Sequence, residues 1–146
     1  MTLEELQAQA DKDLVIDDTE LDTESLKTPI LHNKYLQYYN KFNLLLKKSQ
    51  WEERTLQREK WEYYTGKSDP EVYKQKPFDL KVLKNDVHIY INSDEDIQKI
   101  QAKIEYQSAI VSYLEQILRI LNNRSFTIKN AIEGEDLLVA LYDRNC

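Results

Sequence analysis

Apolar residues in this chain recur at spacings of three and four, and that period predicts helices along most of its length. Thr2 with Glu5 three residues later fits a capping box, so a short helix is expected from Leu3 to about Asp11. Leu14-Val15-Ile16, set between acids, reads as extended, and a second short helix is expected over Thr19 to Lys27. Thr28-Pro29 is a start signal: a capping hydroxyl, then proline at the first helical position. Nothing breaks the chain again before Gly66, so Pro29 to Thr65 is expected as one long helix. Its seam runs Leu31, Tyr35, Tyr38, Phe42 and Leu45, is interrupted at Ser49 and Glu52, and resumes at Leu56 and Tyr63. Residues 67–92 hold Pro70, Pro77 and alternating Val87, Ile89 and Ile91, which reads as a loop with a short strand or hairpin. Ser93 before three acids caps a second long helix with the seam Ile97, Ile100, Ile104, Val111, Leu114, Leu118 and Leu121, where only Gln107 is out of character. Asn122-Asn123 is expected to close it. Short helices from Ser125 to Ile132 and from Glu135 to Tyr142 would follow.

The expected architecture is therefore all-α: two long helices with short terminal helices in an elongated protomer. Four segments result: an acidic arm at 1–27, a basic and aromatic helix at 28–66, a loop at 67–92, and a second helix with its tail at 93–146. With only 2 Gly and 3 Pro in 146 residues, there are too few turns for a sandwich or barrel. The single cysteine, Cys146, excludes a disulfide scaffold and a paired-cysteine metal site. The amino terminus has no basic, apolar leader, and the longest apolar run, Leu137 to Tyr142, is far too short to span a bilayer. A soluble, intracellular protein with no membrane partner is expected.

The net charge of −6 hides a polarised chain. Residues 1–26 carry nine acids against one base, whereas 27–84 carry thirteen bases against seven acids. Such asymmetry points to an anionic partner. Enzymatic constellations are absent. His32 and His88 share no metal-ligand spacing, and Gly66 and Gly134 cannot form a phosphate loop, so no catalysis, cofactor or metal is expected.

The informative feature is the second half of the first long helix. At 100° per residue, Trp51, Arg54, Arg58 and Trp61 all fall within about 40° of Lys47, opposite Phe42, Leu45, Leu56 and Tyr63. Cations that track phosphates, interleaved with rings that stack on bases, suit sequence-tolerant binding of single strands. Lys48 and Lys67 extend the positive region. The competing reading is a solvated face, with Arg58 paired to Glu62 and both tryptophans packed on a neighbour. On that reading the protein is a helical scaffold that self-associates without binding DNA. Between Ile110 and Leu121, eight of twelve residues are apolar, more than one hairpin partner can cover. Either terminal segments fold back over this face or neighbouring subunits cover it. Self-association through Ile110, Val111, Leu114, Ile117, Leu118 and Leu121 is the expectation.

At Glu62-Tyr63-Tyr64-Thr65-Gly66-Lys67 and at Asn123-Arg124-Ser125-Phe126-Thr127-Ile128-Lys129 the sequence resembles the UvsY recombination mediators of T-even-type bacteriophages. The opening Thr2-Leu3-Glu4-Glu5-Leu6-Gln7 and Ile16-Asp17 also fit, and the resemblance extends to about Ile132. It implies a non-enzymatic, all-helical protein forming a ring-like homo-oligomer, a hexamer or heptamer, in the cytoplasm of an infected bacterial host. Its implied partners are single-stranded DNA, the phage single-strand-binding protein and the phage recombinase, whose filament it helps to nucleate. A basic pair before the Tyr-Tyr motif takes part in DNA binding in that family, and the matching positions are Arg58 and Lys60. Trp61 stands where an aliphatic residue is usual. On an ideal helix Lys60 falls about 220° from Lys47, away from the stripe.

Overall fold

A computed structural model describes residues 1–144, and every regular element in it is helical. The order is α1 (Leu3–Asp13), α2 (Leu21–Tyr64), α3 (Pro70–Gln75), a 3₁₀ turn (Lys84–Asp86), α4 (Val87–Ser93) and α5 (Glu95–Arg144). The all-α expectation holds. Cys146 lies outside the described residues. The described chain divides into two compact units: residues 1–41 with 110–144, and Phe42–Ala109.

In the first unit α1 starts as its sequence predicts. The Thr2 hydroxyl accepts from the Glu5 amide at 3.2 Å, and the Glu5 carboxylate accepts from the Thr2 amide at 3.0 Å. One face of α1 is tied down, with Leu6 and Ala10 buried. The Tyr35 hydroxyl and Lys34 ammonium both donate to Asp13, each at 2.7 Å, and Tyr38 donates to Gln9. The core of this unit holds Tyr35, Ile110, Val111, Leu114, Ile117, Leu121 and Ile128.

That core corrects the reading of the apolar face. Of the six residues expected at a subunit interface, Ile110, Val111, Leu114, Ile117 and Leu121 are buried inside the protomer, and Leu118 is half-buried. The protomer itself buries most of the wide face. On α5 Ile120 and Phe126 stay exposed, and a denser run of uncovered apolar side chains comes later: none of residues 129–144 is buried, and Leu137, Leu138, Val139, Leu141 and Tyr142 stand exposed.

Helix boundaries move for a related reason. Pro29 is interior to α2, where it removes one backbone hydrogen bond. The preceding turns are held by tertiary contacts instead. Arg124, 3% exposed, donates to Thr28 Oγ1 at 3.2 Å, to the Leu14 carbonyl, and to the buried Glu24 carboxylate. Lys27, at 2.8 Å, and then Arg124 hold that carboxyl below the usual range. Thr28 thus accepts from a buried guanidinium where the sequence suggested a cap. The same contact carries α5 through Asn122-Asn123, because Leu121, Arg124 and Ile128 continue one buried stripe at helical spacing. Packing overrides the weak local stop.

In the second unit the buried positions are Phe42, Leu46, Ser49, Val87 and Ile97. The seam therefore steps from Phe42 to Leu46 and Ser49, leaving Leu45 40% exposed. A buried serine takes the place read as an interruption. Gln107, the odd residue of the second seam, keeps a buried Oε1 with no hydrogen-bond partner among the described residues. Residues 67–92 form no strand. Val87 and Ile91 lie four apart on α4, so their alternation with Ile89 was a helical pattern in a short window. Asp94, not Ser93, caps α5: its Oδ1 accepts from the Asp96 and Ile97 amides at 2.9 and 3.3 Å, while the Ser93 hydroxyl donates back to the Ile89 carbonyl.

The Glu62–Lys67 motif is a helix-stop device. Gly66 adopts φ +78°, the Lys67 amide donates to the Glu62 carbonyl at 2.8 Å, and the Gly66 amide donates to that of Tyr63 at 3.3 Å. Tyr63 and Tyr64, just before it, pack with Tyr73, Phe78 and Tyr90 in one aromatic cluster. A Cβ at Gly66 would meet no atom within 4 Å, so the penalty for Gly66→Ala comes from the backbone alone. We expect a loss of about 1–2 kcal/mol in urea denaturation, with the helical circular dichroism unchanged.

Candidate nucleic-acid interface

The basic helix face survives folding. Lys47, Lys48, Trp51, Arg54, Arg58, Trp61 and Lys67 are all exposed, all in the second unit. Among the described residues, Lys47, Lys48 and Arg54 have no ion-pair partner, and Arg58 has only a loose contact with Glu62 at 3.9 Å. The Lys67 ammonium lies over the Trp61 ring, 4.3 Å from its centroid. The stop at Gly66 produces this contact, because it turns the chain back across the last turn of α2.

Lys60 is not part of this face. Its position on the helix carries it to α5, where its ammonium sits 2.8 Å from Asp96 and 3.2 Å from Asp94 with the side chain 15% exposed. The Tyr64 hydroxyl donates to the same Asp94 at 2.6 Å. Burial alone would lower the Lys60 pKa, but the hydrogen bonds to Asp96 and Asp94 outweigh it, and the net shift is upward. Burial would likewise raise Asp94, yet hydrogen bonds from Tyr64, the Ile97 amide and Lys60 hold it below the usual carboxylate range. Asp96 is lowered chiefly by its hydrogen bond from Lys60. Lys60, assigned to DNA binding by the resemblance, thus has its partners within the protomer: this cation clamps the start of α5 to the end of α2.

The clamp has a defined pH range. Depressed carboxyl pKa values stabilise the fold fully above the ordinary 3.8, and that contribution is lost as pH falls through the lowered values. The raised Lys60 pKa stabilises the fold fully below 10.5, and that part is lost as pH rises beyond it. Thermal melts should therefore show the clamp's contribution flat from about pH 5 to 9 and falling on both sides. Asp94→Asn should remove part of the acid-side fall, leaving the parts contributed by Asp96 and by the Glu24 carboxyl.

The two tryptophans do not share one surface. Trp51 borders a shallow depression with Lys48, Leu56 and Ile100 that also carries Glu52 and Glu59. Trp61 instead lines a groove of about 470 Å³ with Arg54, Gln57 and Arg58 of α2 and with His88 and Asn92 of α4. The α4 residues were missed in the sequence because 87–92 looked like a strand, which would have placed His88 and Asn92 without relation to the basic stripe. Their spacing of four was the available signal.

The family model described as "Recombination, repair and ssDNA binding protein UvsY" matches residues 9–139. The chain belongs to the UvsY family. Among UvsY relatives, the "Recombination protein uvsY" of Enterobacteria phage T4 is 22% identical over 130 residues, covering 89% of this chain and 92% of its own. Two crystal forms of the bacteriophage T4 recombination mediator protein UvsY share the fold. One has TM-score 0.85 and 21% identity, covering 95% of this chain and 98% of its own. The other has TM-score 0.82 and 20% identity, covering 91% and 98%. In this UvsY chain no helix among the described residues is long and apolar enough to cross a membrane.

Proposed function

We propose that this chain is a recombination mediator: an oligomeric, non-catalytic, single-stranded-DNA-binding protein that helps a phage recombinase load onto DNA coated by single-strand-binding protein. Its place of action on this reading is the cytoplasm of the infected host. The observation that carries the proposal is the exposed face of Lys47, Arg54 and Arg58, whose charges the protomer leaves almost unneutralised in a chain of net charge −6. A local field at such a face, not the total charge, governs attraction of a polyanion. Family membership supports the choice of single-stranded DNA over other polyanions.

Assembly into a ring-like hexamer or heptamer is part of the same proposal, with the interface moved to the helical segment 129–144. Its exposed Leu137, Leu138, Leu141 and Tyr142 form the kind of uncovered apolar surface that marks a contact. Repeated copies of the basic face along one strand then add avidity to individually weak contacts. The acidic α1 and its approaches, with Glu4, Glu5, Asp11, Asp17 and Asp18 exposed, suit docking of a basic patch on the recombinase or binding protein. Fluorescence anisotropy with oligo(dT) tests the reading. Tight binding that weakens steeply between about 50 and 300 mM salt is expected. No binding at low salt would favour the scaffold reading, on which the charged face is merely solvated.

A further inference from the structure

We propose that the groove between α2 and α4 is a nucleotide subsite, in which Arg54 and Arg58 hold a phosphate, Trp61 stacks on a base, and His88 and Asn92 hydrogen-bond the nucleotide from the opposite wall. The proposal rests on the single-strand-binding reading and deepens it. It makes α4 part of the DNA footprint and divides the work of the two tryptophans.

Charge is the first argument. None of the side chains lining this groove is a carboxylate. The neighbouring depressions of the same unit each carry at least two: Glu59, Glu62, Asp69 and Asp96 in one, Glu52 and Glu59 beside Trp51, and Asp94, Glu95 and Asp96 in a third. Lysines offset part of that charge (Lys60, Lys67 and Lys76 in the first, Lys48 beside Trp51, Lys60 and Lys76 in the third), but acids still outnumber bases in each. In the groove the two guanidinium groups meet only the loose Arg58–Glu62 contact at 3.9 Å, and an anionic backbone is drawn there. Arginine also suits a phosphate geometrically, since its planar fork donates two parallel hydrogen bonds.

Chemical variety is the second argument. A nucleotide needs a cation for its phosphate, a ring for its base and polar groups for its edges and sugar. The groove offers these on two walls, at a volume within the range of small-ligand sites. Gln57 and Asn92 carry amides that both donate and accept, so they tolerate any base, as sequence-independent binding requires. Trp61 is 42% exposed, and Lys67 covers one of its faces at 4.3 Å. A base stacked on the opposite face would complete a cation–indole–base stack. Trp51, though 63% exposed, sits among carboxylates and is a poorer platform for a charged strand.

The test uses the full chain carrying Trp51→Phe, which leaves Trp61 as the sole indole fluorophore. Titration with oligo(dT) should quench its emission, and the affinity of this single variant is the reference for the next. Adding His88→Ala with Asn92→Ala should weaken binding roughly tenfold, as expected when about two hydrogen bonds are removed, while the log–log salt slope stays unchanged. Both residues are exposed, so the fold is retained, and circular dichroism checks this. If oligo(dT) binds with normal salt sensitivity but neither quenches Trp61 nor responds to the α4 variant, the subsite is wrong and DNA runs elsewhere on the protein. If the parent binds no oligo(dT) at any salt, the single-strand reading itself fails and takes the subsite with it.

Discussion

Leu114→Glu should leave no folded protomer. Leu114 is fully buried in the core of the first unit, where it shares the interior with Tyr35, Ile110 and Ile117. An unpaired carboxylate there costs several kcal/mol, about the scale of a small domain's whole stability. Circular dichroism should show loss of cooperative melting, and sedimentation should show aggregation or an expanded chain in place of a clean smaller species. Leu138→Glu with Leu141→Glu should behave in the opposite way. Both side chains are exposed in the protomer, so the variant should keep its helical signal and melt cooperatively while sedimenting as a smaller oligomer or monomer. An intact oligomer in the tail variant would place the subunit interface away from 129–144.

Lys60→Ala has the second large effect, on stability and not on DNA. Removing the ammonium leaves the Asp94 carboxylate, whose side chain is only 8% exposed, with its hydrogen bonds from Tyr64 and two amides but no cation, beside the half-open Asp96. Breaking a fully buried pair costs about 3–5 kcal/mol; with Asp96 partly hydrated, about 2–3 kcal/mol is expected. Urea denaturation should show that loss, while oligo(dT) affinity measured well below the midpoint should stay within about twofold of the parent. A large fall in affinity with parental stability would return Lys60 to the DNA-binding set.

Much of the fold was legible in the chain because helical period and end signals are local. The capping box at Thr2, the stop at Gly66 and the seams around Tyr35 and Ile97 needed no partner to be read. The failures share one cause. Pro29 and Asn122-Asn123 looked like boundaries because their local preferences are poor helix formers, and Arg124, with contacts to Glu24 and Thr28 about a hundred residues away, overrides them. No spacing rule announces a buried guanidinium. The face from Ile110 to Leu121 was read as an interface because an apolar face shows only that something covers it, and its burial within the protomer could not be seen from spacing. For the candidate site, the direction of each α2 side chain followed from the 100° rule, including that of Lys60. The opposing wall from α4 did not, since it depends on how the 67–92 segment folds back onto α2.

The most direct test is the salt dependence of oligo(dT) binding by Arg54→Ala/Arg58→Ala beside the parent and Lys60→Ala. Both arginines are exposed and the doubly substituted chain should fold and assemble normally. Its affinity at low salt should fall at least about tenfold, and the log–log slope should shrink by about 0.7 for each phosphate that is no longer neutralised. Lys60→Ala should keep the parental slope. Parental affinity and slope in the double arginine variant would contradict the account, leaving the basic face of α2 as solvated charge.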